Sequence, residues 1–197
     1  SFHPVKHITT GEGGMITTNS REYYEKLKLF RSHGITKDKD KLSRHDGSWY
    51  YEMQELGYNY RLTDFQCALG LSQLKKIDKF IKRRREIAYK YYDEFSIIPE
   101  IKNPIYYAHS AKLKSAWHLY MIQLNLNRLK VSRMEIFNEL REEGIGVNVH
   151  YIPVHLQPYY QKKFGYHSGD FPVAENYYSR AITLPIYPKM TDKDVEY

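Results

Sequence analysis

The stretch Ser1-Phe2-His3-Pro4-Val5-Lys6-His7-Ile8-Thr9-Thr10-Gly11-Glu12-Gly13-Gly14, continued by Met15-Ile16-Thr17-Thr18, decides how the chain is read. Residues 8–10 and 15–18 are rich in strand formers and flank a glycine-rich turn, which predicts a β-hairpin. Lys6 then sits at the mouth of that hairpin, behind Pro4, in a position that a lysine on a helix surface lacks. A lysine attacks a carbonyl only as the neutral amine, so that role needs surroundings that depress its ordinary pKa of about 10.4. Ser1 is near enough in the chain for its hydroxyl to hold a phosphate while Lys6 reaches an aldehyde on the same molecule. On residue chemistry alone, an ordinary surface lysine is the simpler account.

Outward from this stretch, Asn19 or Ser20 caps a helix carrying Tyr23, Leu27 and Phe30 on one face, ending near His33-Gly34. Residues 35–54 are polar and irregular and read as a surface loop. Thr63-Asp64-Phe65-Gln66 is a capping box that opens the longest helix. Phe65, Leu69, Ile77, Phe80, Ile87 and Tyr91 form its apolar side, and the pattern runs to Phe95, roughly thirty residues. Pro99 and Pro104 mark a break. The domain change is expected within this helix or just after it, giving units of residues 1–95 and 96–197.

The second half alternates. Residues 117–124 read as a strand, and Ser132-Arg133-Met134-Glu135 is a second capping box, with Val131 and Ile136 placed as a hydrophobic staple. Ile136, Phe137 and Leu140 continue that helix to Gly144, and residues 145–151 read as another strand. A loop rich in proline and tyrosine follows, then a helix over residues 173–181 and an extended stretch at 182–185. This describes a small α/β or α+β domain.

With 197 residues, 42% of them hydrophobic, the chain can build one substantial core. No run reaches the eighteen or so apolar residues of a membrane span, and a lone cysteine, Cys67, fits a reducing cytoplasm. The net charge is +7, concentrated in Lys75, Lys76, Lys79, Lys82, Arg83, Arg84 and Arg85. Beside twenty tyrosines this raises a non-catalytic binding module contacting nucleic acid or an acidic partner. A solvated face on a long helix explains the charge more simply. Ser1 is no initiator methionine, and Thr191 caps a helix cut short at Tyr197, so a piece of a longer protein is expected.

Other pairings carry less. His150 and His155 resemble a metal pair, but Pro153 spoils a helical face between them and no third ligand is near, so no metal is expected. His45 reads as a surface residue and His33 as structural or site-lining. The glycines at 11–14 lack the Gly-Lys-Ser/Thr ending of a nucleotide-binding loop. Tyr89, Tyr91, Tyr92, Tyr177 and Tyr178 sit at helical spacings that suit packing.

The opening fourteen residues closely resemble the lysine segment of the DegT/DnrJ/EryC1/StrS nucleotide-sugar aminotransferases. The resemblance continues through Phe30-Arg31-Ser32-His33-Gly34, Gly57-Tyr58-Asn59-Tyr60-Arg61-Leu62-Thr63-Asp64-Phe65-Gln66 and Ala68-Leu69-Gly70-Leu71-Ser72-Gln73-Leu74. It ends in His150-Tyr151-Ile152-Pro153-Val154-His155, which with Pro158-Tyr159-Tyr160 is most similar to the PseC type.

The resemblance implies an α/β chain from a fold-type I aminotransferase: the end of the large domain, a long linking helix and a small C-terminal domain. It implies pyridoxal 5'-phosphate as cofactor, with Lys6 as its covalent lysine and the proton carrier. Ser1 binds the cofactor phosphate, and Asn59 reaches the phosphate of the neighbouring subunit, making a homodimer with a shared active site. His33, Arg61, Tyr151 and His155 are implied to contact the sugar nucleotide or the donor carboxylate, an anion that suits an arginine fork. The implied reaction aminates C4 of a UDP-linked 4-keto-6-deoxy-N-acetylhexosamine, with L-glutamate as donor, in the making of bacterial surface glycans. A related branch carries histidine at the Lys6 position and deoxygenates instead, so lysine here favours transamination. The acid that pairs with the pyridine nitrogen and the residue stacking on the ring lie upstream of this segment in the family. The chain alone is therefore expected to have little transaminase activity, and to expose apolar surface.

Overall fold

The computed structural model describes residues 1–104 and 114–197, which divide into two compact units, Ser1–Ile77 and Asp78–Tyr197. This division lies inside the helical stretch expected over 63–95, near its middle rather than at residue 95. The reason is that the stretch is not one helix.

Helix α2, Asp64–Leu74, stops at a turn through Lys75 and Lys76, and α3 runs separately over Ile77–Phe95. Lys76 N donates to Gln73 O at 2.9 Å, a tightened last turn that ends α2. The apolar stripe splits with it. Ile87 and Tyr91 of α3 are buried, whereas Phe65 of α2 is 90% exposed and Leu69 41%.

In the first unit, α1 spans Arg21–Arg31 with Ser20 as N-cap, its side chain accepting from Tyr23 N. The short strands β1 (Ile35–Thr36) and β2 (Glu52–Met53) pair antiparallel, so the loop expected over 35–54 is closed at its base. The Glu52 carboxylate gathers Ser43, Tyr50 and Gln54. The expected hairpin over 8–18 has no strand. Thr9 Oγ1 donates to Phe2 O at 2.8 Å and Thr10 Oγ1 to Glu12 O at 2.6 Å. These local bonds, with Gly11 at φ 81°, curl the chain instead of extending it. No apolar side chain of this unit is among the buried ones, which begin at Ile87.

The second unit holds the core. Strands β3 (Ile101–Lys102), β4 (Tyr120–Leu124) and β5 (Ala181–Leu184) form an antiparallel sheet in the order β3-β4-β5. Along β4, Tyr120, Ile122 and Leu124 alternate inward. They meet Ile87, Ala88 and Tyr91 of α3, with Trp117, Val147, Ile182 and Met190. Helix α4, Arg133–Glu142, starts at the capping box of Ser132 and Glu135 and lays Ile136, Phe137 and Leu140 on this core. The strand expected over 145–151 is a single bridge between Asn148 and Thr183, because the chain turns at Gly144 (φ 80°) and leaves the sheet after one pair. Three helices follow: α5 (Pro158–Phe164), α6 (Pro172–Arg180) and α7 (Asp192–Glu196). Among the described residues no helix is long and apolar enough to cross a membrane.

Candidate active site

Residues 1–14 form a loop pinched at its base. Phe2 N donates to Gly13 O at 2.9 Å, and Thr10 N donates to Phe2 O at 3.0 Å. Lys6 lies near the apex, half-buried, its own N–H donating to His3 O at 3.0 Å. Gly13 has φ 150°, and a Cβ there would stand 2.4 Å from Thr10 Oγ1 and 2.8 Å from Leu62 Cδ2. The loop therefore closes only with glycine at that position.

Helix α2 is the seat of the loop. Gln73 Oε1 accepts from Thr9 N at 3.0 Å, and Gln66 Nε2 donates to Glu12 O at 3.0 Å. Gly70 lies between them on the same face. Gln66 serves twice, since its Oε1 also accepts from Thr63 N at 2.9 Å in the capping box. The cap is legible in the sequence and the seat is not. The 66, 70, 73 spacing was its available signal, but polar and small residues on one face resemble a solvated surface.

The other expected residues of this unit come from two segments laid side by side. Tyr58 N donates to Phe30 O at 2.7 Å, His33 N to Tyr58 O at 2.8 Å and Tyr60 N to Arg31 O at 2.9 Å. Ser32 and Asn59 form a β-bridge, so His33 and Asn59 are neighbours on one short ladder. His33 takes φ 61°, and Gly34 packs against the backbone of Glu55 and Gly57. Asn59 and Arg61 are exposed, and the rings of Tyr58 and Tyr60 stack at 4.9 Å. The structure thus joins Ser1 and Lys6 in one loop, and His33, Asn59 and Arg61 in an adjoining strip that meets it through Leu62. An open cleft lined by Ile16, Thr18, Tyr23, Leu27 and Phe30 on the same unit includes none of them.

Tyr151 and His155 belong to the second unit. Tyr151 is 73% exposed and follows a cis peptide bond from His150. His155, expected to contact substrate, faces the protein in this unit. It is buried, and its Nε2 lies 2.7 Å from Glu175 Oε1. The Glu175 carboxylate is held down to about 2 by the His155 ring, the Gly169 N–H and the Ser168 hydroxyl, so it accepts and His155 Nε2 carries the proton. His150 Nδ1 pairs with Thr183 Oγ1 at 2.8 Å, and burial lowers its pKa.

The basic run is not a uniform solvated face. Arg84 is buried and donates through Nη1 to Trp117 O, His118 O and Ile186 O. Arg83 binds Met190 O and Asp192, and Arg85 Nε donates to Ser115 O at 2.9 Å. Three of the charges are thereby committed to holding the unit together, which weakens the nucleic-acid reading.

As for the cofactor, the residues present suit two ends of pyridoxal 5'-phosphate. They offer a primary amine at Lys6 for the aldehyde, and hydroxyl and amide donors at Ser1 and Asn59 for the phosphate. The acid nearest in sequence, Glu12, is turned to His3 at 3.6 Å. A bound cofactor would have to find the acid for its ring nitrogen outside this loop.

The chain is 51% identical over 195 residues to the uncharacterized protein MJ1066 of Methanocaldococcus jannaschii, covering 99% of this chain and 50% of that one. It is 41% identical over 199 residues to the UDP-4-amino-4,6-dideoxy-N-acetyl-beta-L-altrosamine transaminase of Campylobacter jejuni, covering 100% and 49%. Among solved structures, Helicobacter pylori PseC, an aminotransferase of pseudoaminic acid biosynthesis, superposes with TM-score 0.85 at 35% identity, covering 100% and 49%. Spr1654 of Streptococcus pneumoniae, in its PLP form, superposes at TM-score 0.81 and 30% identity, covering 100% and 48%. The chain spans about half the length of the relatives it matches. The sequence model of the DegT/DnrJ/EryC1/StrS aminotransferase family matches residues 1–197, and with the α/β fold in agreement the chain belongs to that family.

Proposed function

We propose that the whole protein transfers an amino group from L-glutamate to C4 of a UDP-linked 4-keto-6-deoxy-N-acetylhexosamine. It does so with pyridoxal 5'-phosphate, in a cytoplasmic homodimer whose active sites are shared. The observation that carries this reading is the Lys6 loop, pinched at Phe2–Thr10 and seated on Gln66 and Gln73, in a chain of this family. A lysine fixed at both ends of its loop returns to the same place after each proton transfer.

When bound, pyridoxal 5'-phosphate supplies an electron sink for the carbon that loses its proton. The Lys6 amine takes that proton from the α-carbon of the donor and, in the second half of the cycle, delivers one to C4 of the sugar. The Ser1 hydroxyl donates to the phosphate, and the Asn59 amide donates to the phosphate of the partner subunit. Arg61, exposed beside them, presents a two-pronged cation to the donor carboxylate or the nucleotide diphosphate. His33 lines the same strip, and Tyr151 offers a phenol to the sugar. His155, turned to Glu175, leaves the set of substrate contacts.

The test is spectroscopic and chemical. The whole protein with pyridoxal 5'-phosphate should show the visible band of a lysine-bound aldehyde, lost on borohydride reduction, and Lys6→Ala should lack both band and turnover. Mass spectrometry should find the C4 amine among products from UDP-4-keto sugars. A Lys6→Ala protein that keeps the band unchanged overturns the assignment.

A further inference from the structure

His150 and His155 bracket residues 151–154, a short segment whose side chains mostly face solvent. Tyr151 is 73% exposed, Ile152 48% and Val154 60%. Both ends of the segment are anchored. On one side His150 is tied to Thr183 of β5 at 2.8 Å. On the other, His155 is tied to Glu175 of α6 at 2.7 Å.

The second anchor does more than hold one ring. Glu175 also accepts from Gly169 N at 2.9 Å, Ser168 Oγ at 3.1 Å and Phe171 N at 3.4 Å. One carboxylate thereby joins the turn before α5 to the loop before α6. Rings follow one another along the intervening stretch: Tyr160 to Phe164 at 5.9 Å, Phe164 to Tyr166 at 6.0 Å, and Tyr166 to Phe171 at 5.6 Å. The last ring reaches the anchor itself, with Phe171 4.7 Å from the His155 ring. Residues 155–175 are therefore closed at their two ends by this one carboxylate. That loop connects to Tyr151 through Pro153 and a 3-10 turn in which Leu156 N donates to Pro153 O at 2.9 Å.

We infer that His155 and Glu175 form a clasp that closes residues 155–175 and positions Tyr151 for the sugar. His155 is then a positioning residue, and so is Glu175. The pairing of two histidines five apart has its explanation here: they are the two posts between which residues 151–154 are displayed. The identity of the ligand, a nucleotide-linked sugar, rests on the function proposed above; the clasp itself does not.

The experiment uses the whole protein with pyridoxal 5'-phosphate and two variants, Glu175→Gln and His155→Gln, either of which suffices if the other fails to fold. Hydrogen exchange should speed up roughly tenfold or more at the amides of Leu156 and Gln157, which donate to Pro153 O and Val154 O, with β4 and β5 unchanged. In single-turnover measurements the half-reaction with L-glutamate should keep its rate. The half-reaction with the keto sugar should fall at least about tenfold in kcat/KM. Unchanged exchange at Leu156 and Gln157 overturns the clasp. Faster exchange with an unaffected sugar half-reaction, or an equal loss in both halves, overturns its positioning role. If the wild-type protein aminates no keto sugar, the proposed function falls, while the exchange result still decides the clasp.

Discussion

Gly70 lies against Thr10: a Cβ on Gly70 would stand 2.9 Å from Thr10 Cγ2. Glycine inside a helix costs about 1 kcal/mol relative to alanine, so this site gives up helix stability to let the lysine loop sit down. Gly70→Ala should therefore fail to stabilise the protein in urea unfolding, the gain in propensity being offset by the crowded methyl. Adding Thr10→Ser, which removes that methyl and keeps the bond to Glu12 O, should recover the gain. A double-mutant cycle should give a coupling of about 1 kcal/mol. A Gly70→Ala protein with the full gain on its own would show that the contact constrains nothing.

Gln73 is the acceptor for Thr9 N, in a loop whose apex carries Lys6. Gln73→Ala leaves a half-buried N–H without its partner, at a cost of about 1–2 kcal/mol. Because the loop is what moves, binding of pyridoxal 5'-phosphate should weaken several-fold while the second unit unfolds as before. Gln73→Glu retains an acceptor and should bind close to wild type. Equal binding by all three proteins would mean that Lys6 is placed without this bond.

The parts of the fold that were legible are those written locally. The capping boxes at Thr63–Gln66, Ser132–Glu135 and Thr191–Asp194 all form, because each needs only four consecutive residues. The inward alternation of Tyr120, Ile122 and Leu124 is equally local. The break between α2 and α3 was not legible, since Lys75 and Lys76 are good helix residues and neither proline nor glycine marks it. Strand formers around glycines predicted a ladder at residues 8–18, but the hydroxyls of Thr9 and Thr10 found closer acceptors. In the site, Lys6 was identified by resemblance, whereas its seat on Gln66 and Gln73 required knowing which helix face meets the loop. Glu175 lies twenty residues from His155, and nothing local ties the two together.

Arg84 is a buried cation whose only acceptors among the described residues are backbone carbonyls, and burial lowers its pKa. Its Nε has no partner among them. Arg84→Met would remove the desolvated charge but leave the Ile186 carbonyl without this donor. The loss at that carbonyl should dominate, lowering stability by about 2–4 kcal/mol in denaturant unfolding. An Arg84→Met protein as stable as wild type would show that the carbonyl finds another donor at no cost.

The Glu175 carboxylate gives the clasp a pH signature. Its pKa is lowered from the ordinary 4.5 to about 2, first by the His155 hydrogen bond and then by the Gly169 N–H. A group with a depressed folded-state pKa adds stability above its unfolded value and loses that addition as pH falls towards the folded one. Wild type should thus exceed Glu175→Gln in thermal midpoint by a constant margin above about pH 5, and that margin should shrink steadily between pH 4.5 and 2. Other depressed acids, such as Asp192 and Asp194, act in both proteins, so the difference isolates Glu175. A margin that stays constant through the acid range would mean that the wild-type carboxylate has no special hold on its donors.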